Sequence, residues 1–452
     1  MKIVQSFWSG KTGVCEKSYG WHDPFSHYLG WILSVNQLKR FYAEVELVTD
    51  KAGYEILITK LNLPYTKVHV VLDRLNGYNE NLWALAKMYA YQLFDEPFIH
   101  VDGDVFIWKP FPEELLKAQV IVQNKEIISG YYDEMWCKIR GSLNYLPEEL
   151  RMYENGTSRK AYNMGIFGGN DVEFFKKYSQ KAFQFIRQNK NGLTSLEDIN
   201  INIFFEQVLL YNMSNRYNKK VECLIDEEIG DNEYKGFGNF DEVPTERTYL
   251  HLLGFFKRQQ DVMVKLQIYV LKYYPEFYKK AELLFNGKTT IPEYQYSESH
   301  NQILSKIFEQ QLIKGGEHNF YGRLDLVSRS IYMEAQPAIF KELLNSNTNF
   351  CLKRTSKFDT VSLNGEEFMT VEYLNFHRKL PMLAIDGVIF SLLQTSIYGR
   401  AGIERFFLKY LNEDFPKDSI KAYLDTVWKR IYYLISVDLL VAIPMNKISI
   451  KP

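Results

Sequence analysis

Between residues 2 and 101, short apolar runs alternate with stretches of helical spacing, and that alternation limits the chain to few folds. Residues 2–7, 45–48, 68–72 and 97–101 read as strands, the second ending at Thr49-Asp50. Between them, residues 24–42, 54–61 and 80–94 repeat apolar side chains at helical spacing, with Trp31, Val35, Leu38 and Tyr42 on one stripe. Parallel strands need long crossover connections, and a helix is the usual one. Strand, helix, strand, helix, strand therefore predicts an α/β fold with a parallel sheet. A helix at 112–117, a strand at 120–123 and a helix at 171–189 extend the pattern.

A chain of 452 residues is long for one hydrophobic core, which predicts two domains. The sheet pattern fills residues 1–285. Residues 286–315 begin with a polar tract holding Gly287, Thr289, Thr290 and Pro292, and read as a linker. In residues 316–452 the pattern changes: runs at 361–363 and 368–371 flank Asn364-Gly365, a hairpin turn. Helices follow at 386–394, 403–412 and 417–435, and a last strand at 439–443. Helices beside a small hairpin predict a smaller, mainly helical, winged-helix-like accessory domain. It would bind a peptide by adding a strand to its edge, or dimerise, or shield the first domain.

A net charge of -1 argues against a broad nucleic-acid footprint. The cysteines, Cys15, Cys137, Cys223 and Cys351, are far apart and form no CxxC pair, so neither a zinc site nor a disulfide framework is expected. Free thiols fit a reducing cytoplasm. The first ten residues lack the apolar core of a signal peptide. The apolar stretch 431–443 is interrupted by Ser436 and Asp438 and is too short to cross a bilayer. A cytoplasmic protein without a transmembrane segment is expected. The 32 tyrosines and 31 phenylalanines would build aromatic cores or bind sugars and peptides.

The strand at 97–101 ends in Asp102-Gly103-Asp104. Two carboxylates two residues apart at a strand end can hold one hard divalent cation from the same side. Gly103 between them would remove a side chain where a ligand comes close. An Asp-x-Asp alone is weak, because about one copy is expected by chance in a chain of this length. Its position after repeated strand-helix units strengthens it, since such sheets bind ligands at the carboxyl ends of their strands. Without a metal, the two carboxylates would repel a diphosphate; with one, the charge on a leaving diphosphate is offset. Ser9-Gly10-Lys11-Thr12 ends like a phosphate-binding loop, but Gln5 stands where that loop needs its first glycine. Further along, Asn163 precedes a short apolar strand bracketed by Gly165 and Gly168-Gly169, where small residues allow close backbone approach. Residues 196–211 mix Glu197, Asp198, Asn200, Asn202, Glu206 and Gln207 with apolar positions, and His251 opens His-Leu-Leu-Gly-Phe-Phe-Lys. Lys87 lies in the helix before the acidic stretch, where a solvated face is the simplest expectation.

Taken in order, Asp102-Gly103-Asp104, Asn163-Met164-Gly165 and His251-Leu252-Leu253-Gly254-Phe255-Phe256-Lys257 make residues 1–280 resemble the GT-A-fold glycosyltransferases. They look most like the glycogenin-like retaining branch, which has a DxD, a later Asn-x-Gly strand and a late His-x-x-Gly-x-x-Lys. The resemblance implies a Rossmann-like nucleotide-sugar domain. It implies Mn2+ or Mg2+ on Asp102, Asp104 and His251, with Gly254 and Lys257 on the diphosphate. Asn163 and Gly165 would lie on the donor side, and Lys87 would touch the donor. Departures from the family pattern are Arg258-Gln259, where the family usually has Pro-Trp, and a mid-domain acidic segment matched loosely by Glu197-Asp198 or Glu206-Gln207. Asp198 and Glu206 are thus both candidates for the catalytic carboxylate, and retention against inversion stays open.

The function expected is a metal-dependent, hexosyltransferase-like enzyme moving sugar from a nucleotide-sugar, a UDP-sugar by the resemblance, to a glycan, lipid-linked or peptide acceptor. Two alternatives stand beside it. A sugar-phosphate nucleotidyltransferase would carry a glycine- and arginine-rich loop after its first strand, where Ser9–Gly13 offers only Lys11. A non-catalytic scaffold retaining the fold would bind no nucleotide in a metal-dependent way.

Overall fold

A computed structural model describes the chain except residues 11–12, 129, 157–158, 194–198, 232, 245–246, 286–306, 308–325, 347, 356–357, 364, 374–375, 413 and 446–452. Asp198, the lysine and threonine of the loop after the first strand, and nearly all of the expected linker lie outside the described residues. The chain divides into two compact units, Met1–Gly287 and Lys288–Pro452.

The described residues of the first unit form ten strands: β1 (Lys2–Phe7), β2 (Val45–Thr49), β3 (Lys67–Val70), β4 (Phe98–Val101), β5 (Val105–Ile107), β6 (Val120–Ile127), β7 (Lys160–Gly169), β8 (Val221–Cys223), β9 (Ile229–Gly230) and β10 (Tyr249–His251). The main sheet runs β3-β2-β1-β4-β7-β6-β8, with β9 also on β6. Strands β3, β2, β1 and β4 are parallel, as the strand-helix alternation predicts. β7 is antiparallel to both β4 and β6, and β8 and β9 join β6 in parallel. The result is a mixed α/β fold on a mostly parallel sheet. Every residue of β2 and β4 is buried, Glu46 and His100 included, so both strands are covered on both faces. β3 is the edge strand, and its residues are partly or fully exposed, starting with Lys67.

Local chemistry sets several helix ends. The helix Pro24–Lys39 starts on Asp23, whose side chain accepts from Ser26 N–H, with Pro24 at the first helical position. The helix Leu85–Leu93 begins later than the spacing predicts, because residues 80–84 form turns. Val172–Gln188 is capped by Asp171. The helix expected at 54–61 is a short α turn, Lys51–Tyr54, running into a π-helix, Glu55–Lys60. The mixed polar and apolar segment at 196–211 becomes a π-helical turn, Phe204–Val208, followed by an α-helix, Leu209–Arg216.

Aromatic residues fill the core between Leu85–Leu93, Val172–Gln188 and the sheet. Tyr91, Phe98, Phe167, Phe175 and Tyr178 are fully buried. The Tyr91 and Phe167 rings are 4.4 Å apart and those of Phe167 and Phe175 are 4.9 Å apart. Pairs of this kind add about 0.5–1.5 kcal/mol each beyond the area they bury.

The second unit has its own core, including Phe340, Phe350, Ile389, Phe407, Ile431 and Leu434. Its strands are β11 (Phe350–Arg354), β12 (Phe358–Leu363), β13 (Glu366–Tyr373), β14 (Phe376–Pro381) and β15 (Leu440–Pro444). The expected hairpin is β12–β13, widened by β14 into a three-stranded antiparallel sheet. The last strand pairs not with that hairpin but with β11, in a separate two-stranded sheet. Helices Leu326–Asn345, Ala384–Leu392, Gly399–Leu408 and Ile420–Ser436 complete it.

Candidate functional site

The topology brings the distant motif residues together. β4 ends at Val101, which pairs with Ile166 of β7. The next N–H, from Asp102, donates to the Gly165 carbonyl at 2.9 Å. The chain then turns, leaves the main sheet as β5, and pairs antiparallel with β10 so that Val105 faces His251. Leu252 N–H donates to the Asp104 carbonyl at 2.9 Å, which locks that register. One ligand atom each from Asp102, Asp104 and His251 lie within 4.8 Å of one another.

Two lysines face this cluster. Lys87 Nζ is 2.7 Å from Asp102 Oδ2 and 2.7 Å from Glu206 Oε1. It is buried, not on a solvated helix face, and half-exposed Trp83 lies over it at 5.2 Å. Lys257 Nζ is 2.9 Å from Asp104 Oδ2. It sits on a short 3-10 turn, Phe256–Arg258, whose Lys257 carbonyl accepts from His22 N–H.

The charges respond to burial and to each other. Burial raises the Asp102 carboxyl and Lys87 pulls it back; with Asp104 and Glu206 close by, it is pushed up to about 6. Burial acts the same way on Asp104, but Lys257 and His251 overcome it and hold that carboxyl well below the usual range. For Lys87, burial works against the charge, and the Asp102 and Glu206 carboxylates reverse it, raising the ammonium above its ordinary value. Burial raises Glu206 despite Lys87.

The residues fit a divalent cation. Asp102 Oδ1 is buried and has no hydrogen-bond partner. Its neighbour His100 Nδ1, at 3.6 Å, belongs to a ring that burial keeps neutral, with Lys87 adding to the effect. An orphaned carboxylate oxygen in such a place lacks a positive partner. Two carboxylate oxygens and one imidazole nitrogen suit Mn2+ or Mg2+.

The other expected residues are distributed as follows. Asn163, on β7, is buried and its Oδ1 accepts from Gly165 N–H at 3.1 Å. A Cβ on Gly165 would stand 2.4 Å from Gln123 Oε1 and 2.5 Å from His251 Nδ1, so any larger residue would displace one of them. Gly254 follows β10, and among the described residues a Cβ there would meet only Arg258, at 3.9 Å, leaving its backbone open to them on that side. Glu206 is fully buried on the π-helical turn, with Oε2 unpartnered. A Cβ on Gly103 would lie 2.7 Å from the Trp31 indole, so packing against the helix Pro24–Lys39 is one reason for the glycine. Sequence reasoning missed Gln123, which ends the apolar run of β6 as a fully buried amide. A polar residue inside a strand buried on both sides is the signal that marks it.

Residues 1–284 match a family described as a family of unknown function, DUF6734. No curated protein matches the sequence significantly. Among solved structures, the galactosyltransferase LgtC in complex with donor and acceptor sugar analogues shares 12% identity, over 45% of this chain and 69% of that one, with a TM-score of 0.27. Mouse xyloside xylosyltransferase 1, in its apo form, shares 12% identity over 49% of this chain and 84% of that one, with a TM-score of 0.29. Overlaps this loose carry nothing about the chemistry of this chain.

Proposed function

The chain belongs to the DUF6734 family, described as of unknown function, and from the geometry of its site we propose that its first unit is a GT-A-like, metal-dependent glycosyltransferase. It would move a sugar from a nucleotide-sugar, a UDP-sugar first, to an acceptor. One observation carries this reading: Asp102, Asp104 and His251 converge within 4.8 Å at the carboxyl end of a parallel strand, with the Lys257 ammonium 2.9 Å from Asp104.

Each residue has a role in it. Asp102, Asp104 and His251 hold Mn2+ or Mg2+. A bound cation supplies positive charge against the charge that grows on a departing diphosphate. The Lys257 ammonium and the open Gly254 backbone meet the same diphosphate. Asn163 and Gly165 line the donor side. Lys87 holds Asp102 and Glu206 ionised and fixed. Glu206, with one unpartnered oxygen, is the described candidate for the carboxylate acting at the sugar carbon in a retaining course; Asp198 is the other candidate. The second unit, winged-helix-like in this proposal, receives a peptide acceptor or a second copy of the chain.

A donor screen tests the reading. The purified protein is incubated with the common sugar nucleotides and MnCl2, free nucleoside diphosphate is measured, and the assay is repeated with EDTA. Metal-dependent release of UDP from at least one donor is expected. Neither release nor metal-dependent binding across the set would overturn the proposal.

A further inference from the structure

The buried surroundings of His251 determine which ring nitrogen carries its proton. Nδ1 is 2.7 Å from Gln123 Oε1. The same oxygen accepts from the Tyr249 hydroxyl at 2.6 Å, and Gln123 Nε2 donates to Asn124 Oδ1 at 3.0 Å. Gln123 and Asn124 are fully buried, so water does not compete for these bonds. With its Nε2 on Asn124 Oδ1, the Gln123 amide turns its oxygen to the histidine. A carbonyl oxygen only accepts, so the ring nitrogen facing it must be N–H. In the neutral ring, Nε2 is then a bare lone pair, 3.4 Å from Asp104 Oδ1. Two lone pairs so close repel unless a positive group comes between them. Gly165 is part of the same arrangement, because a Cβ there would occupy the space of the Gln123–His251 bond.

We propose that Gln123 is a positioning residue that fixes His251 as the Nδ1–H tautomer, aims Nε2 at the cation, and so gives the site a preference for Mn2+ over Mg2+. The inference rests on the metal-dependent reading above. The selectivity follows from ligand chemistry. Mn2+ prefers oxygen ligands too, but as a first-row transition ion it gains more from an imidazole nitrogen than Mg2+ does, and Mg2+ holds its waters. A histidine free to protonate Nε2 would leave two carboxylates and little discrimination between the two ions. A residue that merely fills space at position 123 would influence neither the tautomer nor the Mn2+/Mg2+ ratio.

The test uses the full chain. The eight histidines are labelled with nitrogen-15 in the metal-free protein at pH 8, and the His251 signals are identified by their loss in His251→Ala. The expected spectrum has a protonated Nδ1 and an unprotonated Nε2; a protonated Nε2 in the wild type overturns the proposal without any variant. Gln123→Leu should mix the tautomers, and Gln123→Glu, which keeps an acceptor oxygen, should restore Nδ1–H. Titrations with MnCl2 and MgCl2 alone should show Gln123→Leu losing Mn2+ affinity about 10- to 100-fold and Mg2+ affinity by less than roughly threefold. A folded Gln123→Leu with the wild-type tautomer and ion ratio overturns it as well. If Mn2+ binds as expected but no sugar nucleotide binds in a metal-dependent way or releases UDP, the glycosyltransferase reading falls and this one stands.

Discussion

Lys87 is the residue on which the site's electrostatics turn. It offsets two buried carboxylates at once, and removing one partner of such a group leaves charge stranded in a low-dielectric place. Lys87→Met should lower the unfolding free energy of the metal-free protein by about 3–5 kcal/mol in urea denaturation; a loss near zero would mean the carboxylates are already protonated. Asp102 makes a pH prediction. Its carboxyl is pushed up to about 6, and a proton and a cation compete for the same oxygens. Mn2+ affinity should therefore be constant well above that pH and fall as the pH drops through it, as followed by electron paramagnetic resonance of free Mn2+. A flat profile would contradict the placement of Asp102 in the site. At this scale the sequence was partly legible. Asp102 and Asp104 stood out by their place at a strand end, and His251 only through the family resemblance. Lys87 looked like a solvated helix lysine, because its burial depends on Glu206 arriving from a distant segment. Gln123 escaped because its partner strand is fixed only by the fold.

Among the elements, the pairing of β5 with β10 matters most, since it delivers His251 to Asp104. Gly165 guards that junction from β7. Gly165→Ala should leave a folded protein with Mn2+ affinity reduced at least about tenfold, because the new methyl displaces Gln123 or the His251 ring. Wild-type affinity in that variant, measured by titration calorimetry, would show the ring to be freer than the contacts imply. Gly168→Ala acts on the fold itself. Its Cβ would press on the Phe98 carbonyl of β4, a backbone atom unable to move aside, so a loss of about 1–3 kcal/mol in stability is expected. The parallel strands and most helices of this unit were legible from apolar runs and helical periodicity. The antiparallel course of β7, the short strands β8 and β9, and the partner of β15 were not, because strand pairing is decided by segments far apart in the chain.

At the scale of the whole molecule, each unit carries its own hydrophobic core, so calorimetry should resolve two unfolding transitions. MnCl2 with UDP should raise only the one belonging to the first unit, since a ligand stabilises the unit that binds it. One shared transition would contradict two independent cores. The central claim, a cation held by Asp102, Asp104 and His251, is tested most directly by crystals grown with MnCl2 and UDP. An anomalous difference map should show one manganese peak between these three side chains, and the peak should be missing in crystals of Asp104→Ala. A map with no peak there, or with manganese bound elsewhere in the first unit, would contradict the account.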